Sequence, residues 1–154
     1  MATDLDKKFK KGSVVQCDMG AVEHSGIYVG NNEFVELCSD GVIKKVGIKE
    51  FITPLSDQKE GKFLLKGRIR AFCKRDSDGD WVAVGDQDVC KRALDKVDDT
   101  RDYNLLFDNC HQFTAGCMSG DFENAINFLW MLKDEAKNYF KVSDGDWAGV
   151  DVEA

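Results

Sequence analysis

The 154-residue sequence is short of four things: proline, histidine, long apolar runs and positive charge. No stretch of about 18 apolar residues exists, which excludes a membrane-spanning helix. The richest apolar stretch, 122–140, is interrupted by Glu123, Lys133, Asp134 and Glu135, among other polar residues. Lysine and arginine total 21 against 28 acidic residues, a net charge of −7 with a pI of about 4.8. Binding to nucleic acid rests on cations neutralising phosphates, so a general nucleic-acid partner is excluded. Electrostatic docking on an anionic membrane is excluded on the same ground. The six cysteines contain no CxxC pair, and their spacings of 21, 35, 17, 20 and 7 match no compact ligand set. A metal or redox protein is therefore not expected, and no cofactor is implied. The N-terminal "MATDLDKKFKKG" lacks the apolar stretch of a secretory signal. The thiols are expected to be reduced and the protein cytoplasmic.

What is present reads as one domain spanning 1–154, with a core over about 10–120 and no repeats or low-complexity linkers. The N-terminal half is strand-like. "SVVQCD" (Ser13 to Asp18) is short and β-branched, "HSGIYVG" and "EFVELC" are joined by the turn signal "GNN", and "GVIKKVGI" (Gly41 to Ile48) follows. Pro54, the only proline, marks a break. "KFLLKGRIRAFC" (Lys62 to Cys73) predicts one strand or two, bent at Gly67. "DSDGDW" lacks the Gly and Glu that a calcium loop needs at its sixth and twelfth positions, and reads as a polar loop tip.

The second half turns helical. "DQDVCKRALDKV" (Asp86 to Val97) has apolar residues at helical spacing. "YNLLF" (Tyr103 to Phe107) predicts a short extended entry, and "NCHQFTAGCM" a helix capped by Asn109 and stopped by Gly120. In that helix Cys110, Phe113, Thr114 and Cys117 share one face. An amphipathic helix is expected over 121–140, its apolar stripe running from Phe122 to Phe140 and packed on the domain.

If Asn109 is the cap, Cys110 is the first helical residue. A helix start offers unpaired N–H groups and a partial positive charge, which favour a thiolate and can hold an oxyanion. A nucleophile needs a base, and the base an orienting group. His111 neighbours Cys110, but successive helix residues point about 100° apart, so His111 is expected to face solvent or cap a neighbour. His24 is the other imidazole. Gly30 lies midway between His24 and Glu36 in sequence. A hairpin loop centred on Gly30 would place the two directly opposite, and one shifted toward Asn31 would make them diagonal neighbours. Either way Glu36 can accept from one ring nitrogen and leave the other for Cys110. Gly26, Tyr28 and Phe34 would share the His24 face. Ile27, Val29, Val35 and Leu37 would form an opposite face against the helices. Tyr28 is a candidate for shaping a substrate pocket, with core packing as its other reading.

Three segments resemble the lecithin retinol acyltransferase-like family: "KKGSVVQ" from Lys10, "HSGIYVG" at His24 to Gly30, and "NCHQF" at Asn109 to Phe113. That family belongs to the wider NlpC-type papain-like enzymes in circularly permuted order. The resemblance implies an α+β fold, an antiparallel sheet from the N-terminal half packed against C-terminal helices. It implies His24 as base, Glu36 as the polar residue twelve positions on, Cys110 as nucleophile and a thioester intermediate, with Asn109 beside the nucleophile as a candidate substrate contact. Glu36 stands where the family usually has His, and a carboxylate orients an imidazole equally well. The box reads Asn-Cys-His-Gln-Phe where animal members usually have Asn-Cys-Glu-His-Phe. The implied partner is an acyl ester, lipid, or peptide or amide substrate. The other reading is a catalytically silent binding module on the same fold.

Overall fold

The computed structural model describes residues 4–20, 22–104 and 109–154. The fold is α+β. Its strands are β1 (Ser13–Asp18), β2 (Glu23–Gly30), β3 (Glu33–Leu37), β4 (Ile43–Val46), β5 (Lys66–Arg75), β6 (Trp81–Ala83) and β7 (Asp146–Glu153). They form one antiparallel sheet in the order β4-β3-β2-β1-β5-β6, with β7 also paired to β5. The helices are α1 (Ile48–Ile52), α2 (Leu55–Lys59), α3 (Gln87–Asp95), α4 (Cys110–Ser119) and α5 (Leu129–Phe140).

Alternation along β2 and β3 sorts their side chains onto two faces, as the sequence predicts. Ile27, Val35 and Leu37 point to one core with Phe113, Cys117 and Met118 of α4 and Leu132 and Ala136 of α5. Tyr28 and Phe34 point to a second core, closed by Leu5, Phe9 and by Phe51 of α1. Helix α4 is buried along nearly its whole length, so it packs as a central element. Burying a side chain the size of Phe113 contributes about 1.5–3 kcal/mol.

The β2–β3 turn and a bulge beside it set the register. Asn31 and Asn32 both adopt positive φ (58° and 59°), the pair of left-handed residues a two-residue hairpin loop needs, and Gly30 faces Glu33 across it. A bulge between Tyr28 and Gly30 then shifts the pairing by one, so that Ile27 faces Val35 and Tyr28 faces Phe34, a register centred on Asn31. Continued along the strands, this register places Gly26 opposite Glu36 and leaves His24 diagonal to it. Of the two pairings open to the sequence, the diagonal one is adopted.

Several elements depart from expectation. Residues 121–128 are not helical, and α5 begins at Leu129 rather than near Asp121. Tertiary contacts take this stretch. Phe122 packs on Gly116 and Phe113, Asn124 Nδ2 donates to the Gln112 carbonyl (3.1 Å), and Gln112 Nε2 donates back to the Asn124 carbonyl (2.5 Å). Strand β5 runs through Gly67 from Lys66, and 62–65 lie outside it. The sheet also recruits β7 from the C-terminal part of the chain. "DSDGDW" is the hairpin tip between β5 and β6, where Asp76 Oδ1 accepts from the amides of Asp78 and Asp80. Most of the extended entry expected over 103–107 lies outside the described residues.

Candidate active site

Asn109 caps α4. Its Oδ1 accepts from the amides of His111 (2.9 Å) and Gln112 (3.3 Å), and its Nδ2 donates to the Asn127 carbonyl (3.0 Å). The first amide, that of Cys110, is without a partner among the described residues. This places Cys110 at the positive end of a ten-residue helix. The helix starts where β2 starts, with the Cys110 sulfur 3.9 Å from the Glu23 carbonyl oxygen.

His24 is the second residue of β2, buried beside the Phe51 ring (centroids 5.0 Å apart). Its Nε2 lies 3.2 Å from Glu36 Oε1, and its ring is close enough to the Cys110 sulfur for the two to shift each other's pKa, while His111 Nδ1 is in hydrogen-bond contact with that sulfur at 3.9 Å. The other Glu36 oxygen accepts from the Cys38 thiol at 3.2 Å. Three groups from β2, β3 and α4 thus converge at one end of the sheet, as expected for His24, Glu36 and Cys110. They line a cleft of about 580 Å³. Apolar walls come from Met19, Val22, Leu37, Leu55, Phe128 and Leu129.

The electrostatics follow from burial and pairing. Burial alone penalises a charged His24, but the Glu36 charge and hydrogen bonds to Cys110 and Glu36 outweigh it and raise its pKa to about 10. Burial likewise penalises the Cys110 thiolate. Hydrogen bonds from His111 and His24, with the charge of the imidazolium, outweigh it and hold the thiol well below its usual 9.0. Both shifts favour the thiolate–imidazolium form of the pair. The other thiols go the opposite way, chiefly through burial: Cys17 up to about 12, Cys73 up to about 11, and Cys38, Cys90 and Cys117 also upward.

Two site expectations need correction. Tyr28 does not reach the cleft. It shares the His24 face but lies four residues along β2, about 13 Å at strand rise. Its hydroxyl bonds Asp6 Oδ1 (2.5 Å) and the Asn32 amide (3.1 Å), so it packs the second core. His111 does not face solvent. It is buried, with Nδ1 2.8 Å from Ser25 Oγ and 3.9 Å from the Cys110 sulfur. Ser25 lies on the helix-facing side of β2, which is what turns His111 inward. Cys38, missed as a site residue, was signalled by the two-residue period that puts it on the Glu36 face. Asn109 lines the cleft, as does Asn127, whose Oδ1 has no partner among the described residues.

A family model described as lecithin retinol acyltransferase matches residues 7–123. No curated protein and no solved structure matches the chain.

Proposed function

The chain belongs to the lecithin retinol acyltransferase family, and from that premise we propose that Cys110 is the nucleophile, His24 the acid–base and Glu36 the orienting carboxylate of a thioester-forming hydrolase or acyltransferase. Family membership carries the general chemistry, acyl transfer or hydrolysis by a cysteine, and acyl or lipid substrates in general. The observation that carries the assignment is the buried thiol at a helix start lining the same cleft as an imidazole backed by a carboxylate 3.2 Å away.

In the proposed reaction the Cys110 sulfur attacks the carbonyl carbon of an ester or amide, and the π pair moves to oxygen. The Cys110 amide at the helix start stabilises that oxyanion. Collapse of the intermediate expels the alcohol or amine, which takes a proton from His24 on the ring nitrogen not held by Glu36. Water or an acceptor hydroxyl or amine, deprotonated by the same nitrogen, then attacks the thioester and restores the thiolate. The apolar walls of the cleft support an acyl chain as the bound part of the substrate.

The order of the parts, His strand before Cys helix, fits the permuted papain-like arrangement. The eight-residue pairing of β7 with β5 supports one domain over 1–154. A reducing, cytoplasmic setting belongs to the same reading, from cysteine spacings that show no paired framework in the sequence. Among the described residues no helix is long and apolar enough to cross a membrane.

The test is covalent trapping. A p-nitrophenyl acyl ester should leave one acyl group on Cys110, seen by intact and peptide mass, and iodoacetamide at pH 6 should label Cys110 ahead of the other five thiols. Cys110→Ala should abolish both, and His24→Ala should slow both by about 10²-fold or more. Folded protein that forms no adduct and labels at pH 6 no faster than an ordinary thiol would leave the silent binding module as the reading.

A further inference from the structure

The second imidazole at the sulfur has no place in that mechanism, and its hydrogen-bond chain constrains its proton. Thr114 Oγ1 lies 2.8 Å from the Cys110 carbonyl oxygen. A carbonyl only accepts, and two oxygens this close with no hydrogen between them would set lone pair against lone pair. The single Thr114 proton is therefore spent on that carbonyl. Ser25 Oγ lies 3.0 Å from Thr114 Oγ1, so the proton in this contact comes from Ser25. Ser25 Oγ also lies 2.8 Å from His111 Nδ1. With its own proton committed to Thr114, Ser25 can only accept there. Ser25 and Thr114 are fully buried, which excludes water as a competing partner of either hydroxyl.

From this chain we infer that His111 carries its proton on Nδ1, where Ser25 Oγ is the near acceptor (2.8 Å) and the Cys110 sulfur, 3.9 Å away, the second acceptor of the same shared N–H, so that a fixed positive edge faces the thiolate. The two histidines then do opposite work. His24 gives and takes a proton, whereas Nδ1 of His111 cannot act as a base because Ser25 and Thr114 hold its hydrogen in place. The inference rests on Cys110 being the reactive thiol. It adds a residue that stabilises the thiolate before attack and releases it on acylation, when the sulfur loses its charge. The lowering of the Cys110 pKa through its hydrogen bond with His111 agrees with this geometry.

The groups facing the sulfur are His24 on β2 with Glu36 behind it, Cys17 on β1, Tyr103 from the segment before α4, and His111 on its own helix. Burial and nearby negative charge push Cys17 and Tyr103 up to about 12, so neither titrates between pH 5 and 9.

The test has two arms on the intact chain. With only two histidines present, long-range ¹H–¹⁵N spectra of the wild type resolve both rings. At pH 7 His111 should show a protonated Nδ1. A pyridine-type Nδ1 on His111 overturns the inference whether or not the protein turns over substrate. The second arm is iodoacetamide labelling of Cys110 against pH. His111→Phe removes the donor and should raise the apparent thiol pKa, read as the midpoint of the labelling profile, by about one unit. His111→Asn keeps an N–H near the Nδ1 position and should keep that midpoint within about half a unit of wild type. A Phe variant with the wild-type midpoint, or an Asn variant shifted as far as the Phe variant, also overturns it. If the Phe variant does not fold, the wild-type spectrum still decides. Failure of Cys110 to form an acyl adduct, with the His111 signature intact, would instead count against the catalytic reading.

Discussion

Replacing Glu36 by glutamine keeps the shape of the side chain and an acceptor for His24 but removes the charge. Two unit charges 3.2 Å apart attract by about 5 kcal/mol at an effective dielectric of about 20. Desolvation takes back part of this, leaving about 3 kcal/mol. At about 1.4 kcal/mol per pH unit, the His24 pKa should fall by roughly two units. The wild-type ring should titrate at about 10, and the Glu36→Gln ring at about 8. The assay is NMR titration of the His24 ring. The sign for stability follows. The folded pKa of His24 lies above its ordinary 6.5, so its contribution is complete below about pH 6.5 and is lost as pH rises through about 10. In Glu36→Gln that loss should be complete about two units earlier, and the alkaline limb of turnover should move with it. A wild-type midpoint near 6.5, or a variant midpoint within half a unit of wild type, would refute the ion-pair reasoning.

Two further substitutions probe the frame around the site. A Cβ on Gly26 would sit 2.7 Å from the Val35 carbonyl oxygen and 2.9 Å from Phe51 Cε1. Gly26→Ala should therefore cost about 1–3 kcal/mol in urea unfolding, and an unchanged midpoint would contradict this close approach. Asn109→Ala removes the cap on the His111 and Gln112 amides and the link to Asn127. It should cost about 1–2 kcal/mol, with Asn109→Asp recovering the cap's share but not the Asn127 bond.

Local chemistry made much of the fold legible. Strand β1 coincides with the expected "SVVQCD", and α4 runs from the expected Asn109 cap to the Gly120 stop. The two faces of β2 and β3 followed from alternation alone. The short helices α1 and α2 flanking Pro54 escaped notice because each is only five residues long, too short for a helical period to stand out. The start of α5 was misplaced because a stripe of apolar residues continues upstream through Phe122. There, packing on Gly116 and the Gln112–Asn124 exchange outweigh helix propensity.

The identities of Cys110, His24 and Glu36 as the groups to watch were determined by the chain alone, since a capped thiol and a histidine–carboxylate pair across a hairpin are local features. Tertiary structure decided what local features leave open. A turn at Asn31 and Asn32, with the bulge between Tyr28 and Gly30, chose the diagonal register, because pairing depends on loop geometry and not on periodicity. The docking of α4 against the start of β2 brought the sulfur to the imidazole. That same docking turned His111 inward onto Ser25, two residues 86 positions apart, which no spacing rule could pair.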